Sequence, residues 1–224
     1  MAPERGRLHG LYVITPEIAD AATLVARVEA CIAGGAALVQ YRAKNVAPGL
    51  ALVQARALAE VCRAAAVPLI VNDSIELAAA VGADGVHLGR DDTSVREARI
   101  TLPRALIGVS CYADPERARA AAAAGADYVA VGSVFPSKTK PGAVGASLDL
   151  IGRARAAGGL PVVAIGGIDA HNAPAVIAAG ADMLAVISAI FEADDVRAAA
   201  WRIARLYDDP HPERSDVRTQ PRTV

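Results

Sequence analysis

Lysine is scarce in this 224-residue chain: only Lys44, Lys138 and Lys140 among its 23 basic residues, the rest being arginine. Where arginine carries solubility, the few remaining ammonium groups suit tasks that need a compact charge, such as gripping phosphate oxygens. Cysteine is also sparse. Cys31, Cys62 and Cys111 are odd in number and lack CxxC spacing, which excludes a disulfide framework and a zinc site of the usual kind. Cys31 and Cys62 read as core residues, and Cys111 falls at a strand end with no partner base. The formal net charge is −1, so the whole-protein field gives no reason to expect nucleic-acid or anionic-membrane binding; any affinity for phosphate must be local. No uninterrupted apolar run is long enough to span a bilayer, and Met1 to Arg5 has no signal-peptide core, so a cytoplasmic location is expected.

Apolar residues make up 54% of the chain but aromatics only 4%, which favours an Ala/Val/Leu/Ile core between helices and strands. One pattern recurs in it: Gly82-Ala83-Asp84-Gly85-Val86, Gly125-Ala126-Asp127-Tyr128-Val129 and Gly180-Ala181-Asp182-Met183-Leu184, with Gly34-Gly35-Ala36-Ala37-Leu38-Val39 as a looser copy. Each copy ends an Ala-rich helical stretch, caps it with glycine, turns tightly and enters a short apolar run. Strands are expected near Leu11–Ile14, Leu38–Tyr41, Leu69–Val71, Gly85–Leu88, Leu106–Val109, Tyr128–Val131, Val162–Ile165 and Met183–Val186. Helices fall between them, with the last over Asp194–Tyr207. Short continuous apolar strands are those of a parallel sheet buried on both faces. Eight alternating units predict an α/β fold, a single-domain (β/α)8 TIM barrel over residues 11–207. Residues 1–10 form an N-terminal segment, and the charged, Pro-containing tail over 208–224 is expected to be disordered. A doubly wound open sheet is the rival, but Thr15-Pro16-Glu17 stands where a dinucleotide-binding GxGxxG would follow the first strand.

In either architecture the site lies beyond the carboxyl ends of the strands. Asp73 and Asp92 leave neighbouring strands. Two carboxylates so close favour a cation between them, and Mg2+ suits a polyanionic ligand because it takes its remaining oxygens from water and phosphate. Each Asp also resembles a helix N-cap, the structural alternative. Arg42, Lys44 and Lys140 add positive charge to the same mouth, which suits a diphosphate and its departure as a leaving group. Gly166-Gly167 and Ile187-Ser188, after the seventh and eighth strands, suit a backbone-made monophosphate site. His87 reads as a structural residue inside the barrel, and Ser110 has no His–Asp partner of the triad kind.

Gln40-Tyr41-Arg42-Ala43-Lys44, Asn72-Asp73, Gly89-Arg90-Asp91-Asp92, Gly108-Val109-Ser110, Pro136-Ser137-Lys138-Thr139-Lys140, Ile165-Gly166-Gly167-Ile168 and Ile187-Ser188-Ala189-Ile190 together resemble the thiamine phosphate synthase family, in order, from about Leu11 to Tyr207. The resemblance implies a transferase that joins 4-amino-2-methyl-5-hydroxymethylpyrimidine diphosphate to 4-methyl-5-(2-hydroxyethyl)thiazole phosphate, releasing pyrophosphate. It implies Asp73 and Asp92 as magnesium ligands, and Arg42, Lys44 and Lys140 as catalytic groups on the diphosphate. Gln40, Tyr41, Ala43, Asn72, Ser110, Ser137, Lys138 and Thr139 are then further substrate-binding residues, with Gly167, Ile187 and Ser188 at the thiazole phosphate. Phe135 to Gly145 would be a lid. Arg90 stands where the family often has glutamine and Ser137 where threonine is frequent; neither change removes a metal ligand or a phosphate-binding lysine. The expected partners are these small molecules, with no nucleic acid or membrane, and homo-oligomerisation is left open. The rivals are a thiazole tautomerase of the same fold, a lysine Schiff-base aldolase and a non-catalytic phosphate-ligand sensor.

Overall fold

The aspartate of each repeat does more than turn the chain. In the computed structural model, which describes residues 8–90, 92, 94–136 and 146–208, Asp84, Asp127 and Asp182 each grip the start of the preceding strand twice. The Asp84 backbone N–H donates to the Leu69 carbonyl, and the Leu69 N–H donates back to the Asp84 carboxylate, both at 2.9 Å. Asp127 does the same with Ile107, at 2.8 Å in each direction, and Asp182 with Val162, at 2.9 and 2.6 Å. Arg99 and Arg155 then hold the last two carboxylates, at 2.7 Å from Asp127 and 2.5 Å from Asp182. The glycine opening each repeat takes the left-handed conformation that ends the helix, with φ of 63° at Gly82, 94° at Gly125 and 97° at Gly180.

The elements follow in strict alternation: β1 (Gly10–Ile14), α1 (Ala21–Ala33), β2 (Ala36–Tyr41), α2 (Pro48–Ala64), β3 (Leu69–Asn72), α3 (Ile75–Val81), β4 (Gly85–Leu88) and α4 (Val95–Thr101). The second half continues with β5 (Leu106–Tyr112), α5 (Pro115–Ala124), β6 (Tyr128–Gly132), α6 (Asp149–Gly158), β7 (Val162–Ile165), α7 (Ala173–Ala178), β8 (Met183–Val186), α8 (Ser188–Phe191) and α9 (Val196–Ala204). A single 3-10 turn over Arg205–Tyr207 closes the described chain. All eight strands pair in parallel, each with its sequence neighbours, and β1 pairs with β8 to close the barrel. The expected TIM barrel is the fold, and the open-sheet rival is excluded by that closing ladder.

Several boundaries differ from expectation, two of them with a visible cause. β5 runs on to Tyr112 instead of ending at Val109, because a register shift after Ser110 lets Tyr112 pair with Val131. The last helix begins at Val196, not Asp194, because the Asp195 side chain accepts from the Ala198 N–H and so starts it. Residues 1–7 and 209–224, most of the two expected flanking segments, lie outside the described residues, and Gly10 already belongs to β1.

Two apolar layers result. Leu11, Val13, Val39, Val71, Val129 and Leu184 face outward onto the helices. Tyr12, Ile14, Leu38, Ile70, Leu106, Tyr128, Val163 and Met183 fill the barrel itself. Gln40 and His87 are buried polar residues one step further along inward-facing positions, so the filling turns polar toward the carboxyl ends. Among the described residues no helix is long and apolar enough to cross a membrane.

Candidate active site

A cavity of about 940 Å3 opens at that polar end. Gln40, Arg42, Lys44, Asn72, Asp73, Asp92, Ser110, Gly167, Ile187 and Ser188 all line it. The strand alternation that turns Gln40 inward turns Tyr41 outward, where its hydroxyl donates to the Gln54 side chain of α2 at 2.8 Å. Tyr41 and Ala43 are therefore not brought to the cavity wall. Ser137, Lys138, Thr139 and Lys140, with most of the expected lid and with Asp91, lie outside the described residues.

Asp73 and Asp92 do not cap helices. Ser74 caps α3 by accepting from the Leu77 N–H, and Ser94 caps α4 in a reciprocal box with Glu97. Relieved of that task, Asp73 adopts φ 63° between β3 and α3, and its backbone N–H donates to the His87 carbonyl of β4. The Lys44 ammonium lies 3.2 Å from the Asp73 carboxylate. Asp92 accepts from the Gly89 N–H at 2.5 Å and shares a hydrogen bond with the Asp73 side chain. Burial, and then the neighbouring Asp73, push the Asp92 carboxyl above the usual carboxylate range. Carboxyls in this contact share a proton unless a cation lies between them. The pair fits a hard divalent cation with oxygen ligands; among the described residues no larger His, Cys, Asp or Glu cluster could hold a metal.

Glu17 was not singled out by its sequence context. Its carboxylate accepts from the backbone N–H of Lys44 at 2.9 Å, from that of Asn45 at 3.1 Å, and from the Asn45 side chain. Those bonds, chiefly that of the Asn45 side chain, hold it below its ordinary value. The loop carrying Arg42 and Lys44 is thus tied to the end of β1. A smaller recess of about 400 Å3 beside the main cavity shares Arg42, Ile187 and Ser188 with it and has Glu17 on its wall.

Across the barrel, close approach explains the glycines. A Cβ on Gly167 would stand 2.3 Å from the Pro136 carbonyl oxygen, so only glycine lets β7's end pass under the segment leaving β6. Arg90 also lines the cavity, its guanidinium 4.8 Å from the centre of the Tyr112 ring. On the floor, Gln40, Tyr12, Tyr128, His87 and Ser110 form a continuous hydrogen-bonded chain. His87, read from the sequence as structural, lies on the cavity lining, and its two nitrogens connect Ser110 to the barrel centre.

Comparison with known proteins points the same way. The family model described as thiamine monophosphate synthase matches residues 11–190. A thiamine-phosphate synthase of Azoarcus sp. is 57% identical over 202 residues, covering 90% of this chain and 98% of the relative. That of Thiobacillus denitrificans is 56% identical over 199 residues, covering 88% and 94%. The solved structure of thiamine phosphate pyrophosphorylase from Pyrococcus furiosus superposes with a TM-score of 0.80 at 35% identity, covering 91% of this chain and 98% of its own. With a closed barrel, a cation-rimmed cavity and matches over nearly its whole described length, the chain belongs to the thiamine monophosphate synthase family of transferases.

Proposed function

We propose that this enzyme joins 4-amino-2-methyl-5-hydroxymethylpyrimidine diphosphate to 4-methyl-5-(2-hydroxyethyl)thiazole phosphate, with magnesium, giving thiamine phosphate and pyrophosphate. The observation that carries the reading is the grouping of Asp73, Asp92 and Lys44 on one side of the cavity, with Gly167 on its wall across the barrel and Ile187 and Ser188 beside Arg42. A paired acidic and basic rim suits a metal-bound diphosphate, and the neutral glycine-lined side suits a monophosphate.

Asp73 and Asp92 would hold Mg2+, whose charge on the diphosphate oxygens lowers the cost of the negative charge that develops as the C–O bond breaks. Lys44, now ion-paired with Asp73, is placed to exchange that carboxylate for phosphate oxygens, and Arg42 gives a second cation. Lys140 is proposed as a third, with Ser137, Lys138 and Thr139 beside it in the sequence. Bond breaking leaves positive charge on the methylene carbon, which the electron-rich aminopyrimidine spreads over its ring. No enzymic nucleophile is needed; Cys111, at the end of β5, is buried and its thiol is pushed up to about 12. The thiazole nitrogen then bonds to the carbon, while Gly167, Ile187 and Ser188 hold that substrate's phosphate. Gln40, Asn72 and Ser110 would contact the pyrimidine.

The test is pyrophosphate release with both substrates and with each alone, with and without magnesium. The expected result is release only with both substrates and the metal present. Release from either substrate alone, or none at all, would refute the reading.

A further inference from the structure

The floor chain has a direction. The Gln40 Nε2 donates to the Tyr12 hydroxyl at 2.7 Å, so the Tyr12 oxygen receives a proton there and cannot return its own. The Tyr12 proton therefore goes to the Tyr128 oxygen, 3.0 Å away. Tyr128, having accepted, donates to His87 Nδ1 at 3.1 Å. A nitrogen that accepts is unprotonated, so neutral His87 carries its proton on Nε2 and donates it to the Ser110 Oγ at 2.9 Å. The Ser110 Oγ has then accepted from His87, and its own proton is left for the cavity that it lines.

Each member is protected from breaking the sequence of bonds. Burial pushes the Tyr12 and Tyr128 hydroxyls well above their ordinary values, so neither ionises. With His87 neutral, the Nδ1 that accepts from Tyr128 leaves the proton on Nε2, facing Ser110. Reversing the Gln40 amide would reverse all the bonds together and leave Ser110 an acceptor. The two ends cannot be set independently.

We propose that Tyr12, Tyr128 and His87 are positioning residues whose one-way hydrogen-bond chain makes Gln40 present an acceptor and Ser110 a donor, selecting an aminopyrimidine over its oxo counterpart. This rests on the substrate reading above. An aminopyrimidine offers N–H protons from its amino group and lone pairs on its ring nitrogens. Replacing the amino group with oxygen turns that donor into an acceptor and protonates a ring nitrogen, so both ends of the chain would meet the wrong partner. A mismatch of this sort leaves buried polar groups unpaired and discriminates strongly.

The experiment has two arms on the full chain. Nitrogen-15 NMR of the labelled protein, with the His87 signals assigned by their loss in His87→Gln, is expected to show Nδ1 unprotonated and Nε2 protonated. The Nδ1–H tautomer, or an imidazolium at neutral pH, would overturn the proposal. In the second arm, kcat/KM is measured for the aminopyrimidine diphosphate and for its 4-oxo analogue. Tyr128→Phe, and Tyr12→Phe as a second variant that breaks the chain elsewhere, are expected to reduce the preference for the amino substrate by roughly tenfold or more. A purely structural role would lower stability or overall rate but leave that ratio unchanged, and an unchanged ratio in either folded variant overturns the inference. Failure of the substrate reading looks different: wild-type enzyme would form no product from the two substrates, whatever the His87 tautomer.

Discussion

Lys44 and Asp73 meet at 3.2 Å across the gap between the loops that follow β2 and β3, with Asp92 hydrogen-bonded to the same carboxylate from the β4 side. Lys44 is about half exposed, so the ion pair contributes little stability; its interest is that one carboxylate faces both an ammonium and a second carboxyl. Asp73→Ala and Lys140→Ala are expected to lower turnover by at least about a hundredfold, the scale of losing one group that stabilises developing charge. Their denaturant midpoints should stay close to wild type. Near-normal turnover in both variants would remove the diphosphate assignment.

Glu17 governs the loop that holds Lys44. Its folded-state value is depressed, so the order it contributes is complete above the ordinary carboxylate range and is lost as pH falls through the lowered value. The backbone amide signals of Lys44 and Asn45 should therefore titrate together at acid pH. Glu17→Gln should abolish that titration. Amide shifts that move at the ordinary carboxylate value, or that still move in the variant, would show that Glu17 does not control the loop.

Gly108 gives Tyr128 its space. A Cβ at position 108 would stand 2.0 Å from the Tyr128 Cζ and 2.4 Å from its hydroxyl oxygen. Gly108→Ala is expected to cost roughly 1–3 kcal/mol by overpacking, seen as a shift of the denaturant midpoint, and to lower activity by moving the phenol. The pair Gly108→Ala/Tyr128→Val should be more stable than the sum of the two single changes predicts, because the smaller side chain removes the clash. Strict additivity would show that the two residues do not contend for one volume.

Asp127 is a test of the frame instead of the chemistry. It is 3% exposed, accepts from the Ile107 N–H and is paired with Arg99. Asp127→Ala leaves both donors without it and is expected to cost about 3–5 kcal/mol. The rate per folded molecule should be unchanged, measured well below the variant's melting temperature. A loss of rate without loss of stability would contradict this division of labour.

The repeat and the short apolar runs were sufficient to read the barrel because parallel strands buried on both faces leave a continuous local signature. The same locality made Asp73 and Asp92 visible as strand-end carboxylates but could not separate ligand from cap; Ser74 and Ser94 take the caps with their own hydroxyls, which removes the second alternative. Tyr12 and Tyr128, 116 residues apart, read as strand apolars, and nothing local shows that their hydroxyls meet at the barrel centre. Glu17 lies 27 residues before the Lys44 amide it holds, in a stretch notable only for lacking a glycine-rich loop. The aspartates of the repeat were legible as turns, but their second bond, back to the preceding strand, depends on the two strands having paired.

That second bond also sets where the chain can be divided. The doubled grip joins β3 to β4, β5 to β6 and β7 to β8, while Ala36 replaces the aspartate between β1 and β2. The connection from α4 to β5 interrupts none of these grips, and Arg99 bridges it without a covalent link by reaching Asp127. Two fragments separated between Pro103 and Arg104 would each keep their doubled grips whole, with the β4–β5 and β1–β8 ladders left to re-form between them. Co-expressed, they are expected to reassemble into an active barrel, whereas a cut between Val81 and Gly85 would sever the β3–β4 grip. The β4–β5 seam thus carries a backbone ladder and the Arg99–Asp127 ion pair but no doubled aspartate grip, which makes it the place where the chain tolerates division.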